Sequence, residues 1–449
     1  MRSAMNCVHG STPPRPWRRK LAFRPTSDSA VQTTSNRLND SRIQKSTFIS
    51  CLATRIVSLK LAFFSLVVLL QVSSHSLILL AVSPTKIENR SILVTNQVEL
   101  SKAIQRLTGG MTIELAPGKY RGGLYLRNVS GTAESPIVIT SKNPKDPSII
   151  DGGETGIHLS NCRHIQLKHI RFQNALSNGI NIDDGGDPSD SSSHIQLQRL
   201  TIENVGPKGN RDAIKLSGVQ DFQVIECNIE NWGDAGSAID MVGCKNGSVL
   251  NCRFIFRESI PANGLQTKGG TSNVTIESCR FLRAGSRALN IGGSTGRAYF
   301  RPINAPYEAK QISVRNCTII GSDAAVAFVG VDGATFEGNT IYRPSRWIFR
   351  VLQESTGSEM IPCRDVTIEN NLIIFEQKQI RSHLNIGAGT SPETFQMRGN
   401  HWYCIDQPGQ SRPSGLPVTE TAGVYGKRLR IENEGQIDMQ VTAVFEGNE

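Results

Sequence analysis

The chain has 449 residues, long enough to bury a large core, and a length prior alone suggests about two or three domains. Its formal net charge is +10, but residues 1–60 hold eleven Lys/Arg against Asp28 and Asp40, a net +9, which leaves +1 for everything after them. The basic excess is therefore a property of the leader, and with it goes the main argument for a nucleic-acid partner; none is expected.

In chain order, residues 1–55 are rich in Ser, Thr, Arg and Pro and read as a disordered basic leader. Residues 56–83 contain "LAFFSLVVLL", then the polar "QVSSHS", then "LILLAVSP". A basic flank, a short apolar run and small residues beyond it form a signal-peptide pattern, with a membrane anchor as the alternative if the leader stays uncleaved. The polar break interrupts a run that would otherwise be long enough to span, so no stable span is expected after processing and the mature chain is expected to be secreted, periplasmic or at the cell surface. "NQVELSKAIQRLTGG" then starts a short helix: Asn96 and Glu99 make a capping-box-like start, Leu100, Ala103, Ile104 and Leu107 share a face, and Gly109 stops it. Such a helix would cover the open edge of the first coil.

From residue 92 to 405 the sequence repeats. "LKHIRFQN", "LQRLTIEN", "VIECNIEN", "VLNCRFIF", "IESCRFLR", "VRNCTIIG", "FEGNTIYR", "IENNLIIF" and "MRGNHWYC" share one frame: strand, special position, strand. The special position holds Ile170, Leu200, Cys227, Cys252, Cys279, Cys317, Asn339, Asn371 and Asn400, most of them between 22 and 32 residues apart. A period of this size with variable insertions marks a solenoid. A second strand lies between these segments, "GINI", "AIKL", "AIDM", "GLQT", "ALNI", "AVAF", and alternation turns Ile180, Ile214, Ile239, Leu265, Leu289 and Val326 inward as one column. Short strands without helical periodicity make this an all-β chain, a parallel β-helix with a short N-terminal capping helix. Residues 406–449 lose the repeat and read as a C-terminal cap or tail. The Cys positions recur in register, so these thiols are expected as a buried, reduced ladder rather than as disulfides, and the chain as a monomer.

The outward positions of the second strand form columns. One is Asn181, Lys215, Asp240, Gln266, Asn290; the next is Asp183, Ser217, Val242, Lys268, Gly292; a third, at the strand start, is Asn178, Asp212, Ser237, Asn263, Arg287. Amide, hydroxyl and charged groups in columns suit a sugar chain, and Lys215, Asn263, Gln266 and Asn290 are the candidate substrate-binding residues; a solvated strand face is the plain alternative. The insertion "DDGGDPSDSSS", Asp183 to Ser193, places four carboxylates on a Gly/Ser loop and is a candidate Ca2+ site.

"APGKYRGGLYLRNVSGTAESPIVITS" followed by "IIDGG" resembles the opening coil of secreted right-handed parallel β-helix polysaccharide lyases, the pectate lyase-like superfamily, and the resemblance runs through about residues 95–405. "NGLQTKGG" with "NVTIESCRFLRAG" is similar to the chondroitinase B and alginate lyase family. That resemblance implies a lyase acting on an acidic, uronic-acid-containing polysaccharide, with the catalytic lysine at Lys268. The family's metal-binding glutamate falls on Asn263, which is neutral, and its arginine falls at or near Gly292, with Arg287 the nearest arginine upstream. "GSAID" is similar to the calcium motif of another pectate lyase family and keeps only Asp240; a Ca2+ there would be held by Asp240 with Asp212 or Asp234.

Lys268 must lose its proton to act as a base. Arg287, one coil on, favours the neutral amine, and Asp240, diagonally about 8 Å away, opposes it unless a cation sits on Asp240. A non-catalytic glycan-binding β-helix, a glycoside hydrolase and a C5-epimerase remain as alternatives.

Overall fold

A computed structural model describes residues 90–256, 261–432 and 442–445. The basic leader and the apolar segment 56–83 lie outside the described residues. Among the described residues, no helix is long and apolar enough to cross a membrane.

The chain winds into three parallel sheets. One of twelve strands runs from Arg90–Val94 to Gln396–Arg398, a second of twelve from Lys119–Arg121 to Val424–Tyr425, and between them lies one of ten, from Leu124–Arg127 to Ser382–Ile386. Each full coil gives one strand to each sheet, so residues separated by one repeat in sequence lie about 4.8 Å apart in space.

The inward column is as expected. Ile180 pairs with Ile214, Ile214 with Ile239, Ile239 with Leu265, Leu265 with Leu289 and Leu289 with Val326, and all are fully buried. The corner between the two twelve-stranded sheets explains the recurring special position. A residue at positive φ turns the chain, for example Glu226, Asn251, Ser278 or Asn316 at +54° to +55°. The next side chain, Cys227, Cys252, Cys279 or Cys317, then points into the core. Each thiol donates weakly to the carbonyl two residues back, at 3.3–3.4 Å. All eight cysteines of the described residues are buried and free. Burial pushes the Cys244 and Cys363 thiols up to about 12 and those of Cys227 and Cys279 well above their ordinary value.

Asparagine continues the ladder. Cys317 N donates to Asn339 Oδ1 at 2.8 Å, Asn339 N to Asn371 Oδ1 at 2.9 Å and Asn371 N to Asn400 Oδ1 at 3.0 Å. Glu420 ends it, accepting from Asn400 Nδ2 at 2.7 Å, Trp402 Nε1 at 2.9 Å and the Tyr425 hydroxyl at 2.8 Å. This is how the C-terminal segment closes the stack: the last amide has no further coil to bond, and a carboxylate supplies the missing acceptor.

At the other end the helix spans Gln97–Ile104, one turn shorter than the apolar face predicts. Asn96 caps it by accepting from Glu99 N, and Leu100 and Ala103 enter the core. Leu107 is buried beyond its end.

Candidate active site on the ten-stranded sheet

The three outward columns form on the ten-stranded sheet. Asn181, Lys215, Asp240, Gln266 and Asn290 are aligned, and the column continues through Ala327 to Arg350 and Asn385. Val242 aligns with Lys268, and Ser237 with Asn263 and Arg287. The face is in part buried: Asp240 is 0 % exposed, Asp212 2 %, Asn290 3 % and Gln266 6 %.

Charge alternates through this buried strip. Asp212 stands just before its strand, with its N–H on Asn178 Oδ1 and its Oδ1 accepting from Ser237 N, both at 2.8 Å. Lys215 Nζ lies 3.5 Å from Asp212 Oδ2 and hydrogen-bonds Asp240 Oδ2. Lys268 Nζ lies 3.3 Å from the other oxygen of Asp240, which is buried and accepts no well-aligned hydrogen bond. Burial first, and then the charge of Asp240, push the Asp212 carboxyl up to about 6, against the pull of Lys215. Burial works to lower the Lys215 value, but the two carboxylates outweigh it and hold it above the ordinary lysine range.

Gln266 and Asn290 are buried in a hydrogen-bonded chain. Gln266 donates to Ser237 Oγ at 2.9 Å and accepts from Asn290 Nδ2 at 3.0 Å, and Asn290 Oδ1 accepts from Arg287 Nη1 at 2.9 Å. Arg287 Nη2 then meets Glu354 Oε1 at 2.6 Å. The amides form a rigid relay that orients Arg287, whose charge is partly met by Glu354. Asn263 is half-buried between Ser237 and Arg287.

The residues expected to hold a metal take other partners in the structure. Asp234 accepts from Gly209 N at 2.5 Å. The space between Asp212 and Asp240 holds the Lys215 ammonium. A calcium ion takes about six to eight oxygens, and two carboxylates around an ammonium do not fit it. The four carboxylates of the Asp183–Ser193 stretch diverge. Asp183 takes His158 Nε2 at 2.6 Å and Ser160 Oγ at 2.8 Å, Asp184 takes Arg301 Nε at 2.7 Å, Asp187 takes Ser189 N at 2.9 Å, and Asp190 takes Arg163. Among the described residues, no three Asp, Glu, His or Cys side chains converge on a metal position.

Sequence reasoning missed several groups. Trp347 has one arginine over each of two contacts, Arg346 and Arg350, both 4.4 Å from its ring centre. Arg350 lies on the central column and donates to Asn385 Oδ1 at 3.0 Å. Arg301 reaches back 117 residues to Asp184, and Glu354 lies 67 residues from Arg287. Only the Arg350 position could have been found, by extending the column two coils further.

The family model described as right handed beta helix region matches residues 155–301, and the fold is a right-handed parallel β-helix. A lacto-N-biosidase from Eubacterium ramulus is similar in structure at 11% identity, covering 75% of this chain and 67% of that one with a TM-score of 0.51. An alginate lyase from a Paenibacillus species is similar at 19% identity, covering 67% of this chain and 99% of that one with a TM-score of 0.47. The A-module of a mannuronan C-5 epimerase from Azotobacter vinelandii is similar at 13% identity, covering 73% and 93% with a TM-score of 0.45. At these identities the likeness is one of fold. No curated protein matches the chain in sequence.

Proposed function

We propose that the outer face of the ten-stranded sheet acts on an acidic, uronic-acid-containing polysaccharide by β-elimination, with Lys268 as the base. The observation that carries this reading is the Lys268 amine, 15% exposed, on the strand next to that of Arg287, whose guanidinium is oriented by the Gln266–Asn290 relay. Lys268, Arg287 and Arg350 stand on this face and would meet the carboxylates of an anionic chain.

A uronate with its carboxylate toward Arg287 and its C5 hydrogen toward Lys268 has its charge met where the carbanion develops. The free amine of Lys268 takes the C5 proton, the electron pair forms the C4–C5 double bond, and the C4–O bond breaks. The leaving oxygen takes a proton from the Lys268 ammonium or from water. Lys215 supplies a fixed positive charge beneath the site and holds Asp240 in place. The protein would work as a monomer outside the cytoplasm.

The contact between Lys268 and Asp240 favours a second reading, a glycan-binding face without turnover, because an ion-paired lysine binds anions and does not need to lose its proton. Purified chain presented with pectate, alginate and chondroitin at alkaline pH separates these readings. Elimination raises ultraviolet absorbance as unsaturated sugar forms. Hydrolysis raises reducing ends without that absorbance, C5-epimerisation changes uronate composition without cleavage, and binding alone does none of these.

A further inference from the structure

We propose that Glu308 is the positioning residue for Lys268, an inference that rests on the reading of Lys268 as the base. Glu308 is 0 % exposed, and no charged group pairs with it among the described residues. Its carboxylate is satisfied by neutral donors instead. Oε2 accepts from Gly269 N at 2.7 Å and Thr295 Oγ1 at 2.7 Å; Oε1 accepts from Thr295 N at 2.8 Å and from Ser355 Oγ. Its own carbonyl accepts from Gly270 N at 2.9 Å. One residue thus fixes both glycines that follow Lys268 and the loop two residues beyond Gly293.

Both of those segments set where the lysine stem lies. Gly269 and Gly270 are at φ +62° and +90°, a turn that leaves the strand directly after Lys268. A Cβ on Gly293 would meet Lys268 Cβ and Cδ at 3.2 Å, so the stem lies against the bare backbone of Gly293. The amine is therefore placed by a turn on one side and a glycine wall on the other, and Glu308 ties the two together. A buried carboxylate without a counter-charge is costly unless fully hydrogen-bonded, and here its four donors come from this assembly and from Ser355.

The chemistry of the pair of oxygens makes the role testable. Each oxygen accepts one backbone N–H. In Glu308→Gln the amide NH2 must face either Gly269 N or Thr295 N, donor against donor, whichever way it turns. The substitution keeps size and shape but releases one of the two walls beside Lys268.

The test compares full-length wild type and Glu308→Gln. Acylation of lysines by an N-hydroxysuccinimide ester is read by mass spectrometry at Lys268, with Lys102 on the N-terminal helix as internal reference. The Lys268 acylation rate is expected to depart severalfold from wild type while that of Lys102 stays constant. On a polymer that the wild type degrades, kcat is expected to fall by up to about 10²-fold with KM little changed, the mark of a misplaced catalytic group. If Glu308→Gln does not fold, Thr295→Val removes one donor to the same carboxylate and should act in the same direction with a smaller effect. A lowered melting temperature with unchanged Lys268 acylation and unchanged kcat would make Glu308 a loop staple only and overturn the inference. Failure of the catalytic reading shows separately, as turnover retained in Lys268→Ala, because the acylation rate is read without reference to activity.

Discussion

Lys268 Nζ stands 3.3 Å from Asp240 Oδ1, and Lys215 holds the other oxygen of the same carboxylate. Asp240 is thus a buried bridge between two lysines of different exposure and different use. Lys215 contacts both Asp212 and Asp240, and the two carboxylates hold it charged. Lys268 meets the one Asp240 oxygen that accepts no well-aligned hydrogen bond.

Removing Lys215 strands two buried carboxylates. Lys215→Met keeps the aliphatic stem and deletes the charge, and loss of one partner from a buried pair typically costs about 3–5 kcal/mol. The side chain is 22% exposed, so the lower end of that range is expected, read as a shift in chemical denaturation midpoint. Lys215→Met/Asp212→Asn should recover part of it, since the variant then leaves one fewer orphan charge.

Stability should depend on pH through Asp212. Its folded value of about 6 lies above the ordinary 3.8, so the folded state holds the proton more tightly than the unfolded one. Stability from this group is therefore highest at low pH and falls as pH rises from about 4 to about 6, by an amount on the order of 3 kcal/mol. Lys215 acts in the opposite range: its raised value contributes stability that is present below its ordinary value and lost as pH climbs above it. Asp212→Asn should flatten the slope between pH 4 and 6, and an unchanged slope in that variant would assign it to another group.

Calcium should leave the site unaffected. With the Lys215 ammonium between Asp212 and Asp240, addition of calcium or of a chelator is expected to change neither turnover nor melting temperature. Asp240→Asn should titrate with calcium as the wild type does. A calcium-dependent rate that disappears in Asp240→Asn would contradict this and assign Asp240 the metal role.

The thiol ladder gives a fold-level test. Cys227, Cys252, Cys279 and Cys317 should resist thiol reagents in the native state and react on unfolding. Cys279→Asp should fail to fold, because its carboxylate would be buried without a charge partner at a cost of several kcal/mol. Rapid native labelling of all four thiols would contradict the stacked corner.

The fold was legible because its evidence repeats. Ile180, Ile214 and Ile239 announce the core by recurrence, and Cys279 and Asn371 announce the corner by register, so many weak signals add. The outward columns were equally legible as alignments. Their burial and pairing were not. The Lys268 stem closes to 3.3 Å across a diagonal expected to separate it from Asp240 by about 8 Å, because a lysine reaches further than its Cα spacing suggests. Lys215 reads as a sugar-binding cation in sequence and serves as an internal counter-charge. Glu354 and Arg301 act over separations of 67 and 117 residues, set by insertions whose path carries no periodicity. Gln266 and Asn290, read in sequence as substrate contacts, also bond to each other, as buried amides one coil apart can satisfy one another.

The most direct test is the rate of unsaturated-sugar formation by wild type and Lys268→Ala, measured side by side by ultraviolet absorbance on the polymer the wild type degrades. Loss of a general base typically lowers rate by about 10²–10⁴, and a loss of that size with glycan binding retained is the expected result. Lys268→Arg should fail as well, because arginine stays protonated and is shaped differently. Near-wild-type turnover in Lys268→Ala would contradict the account and leave Lys268 as a lysine that only pairs with Asp240.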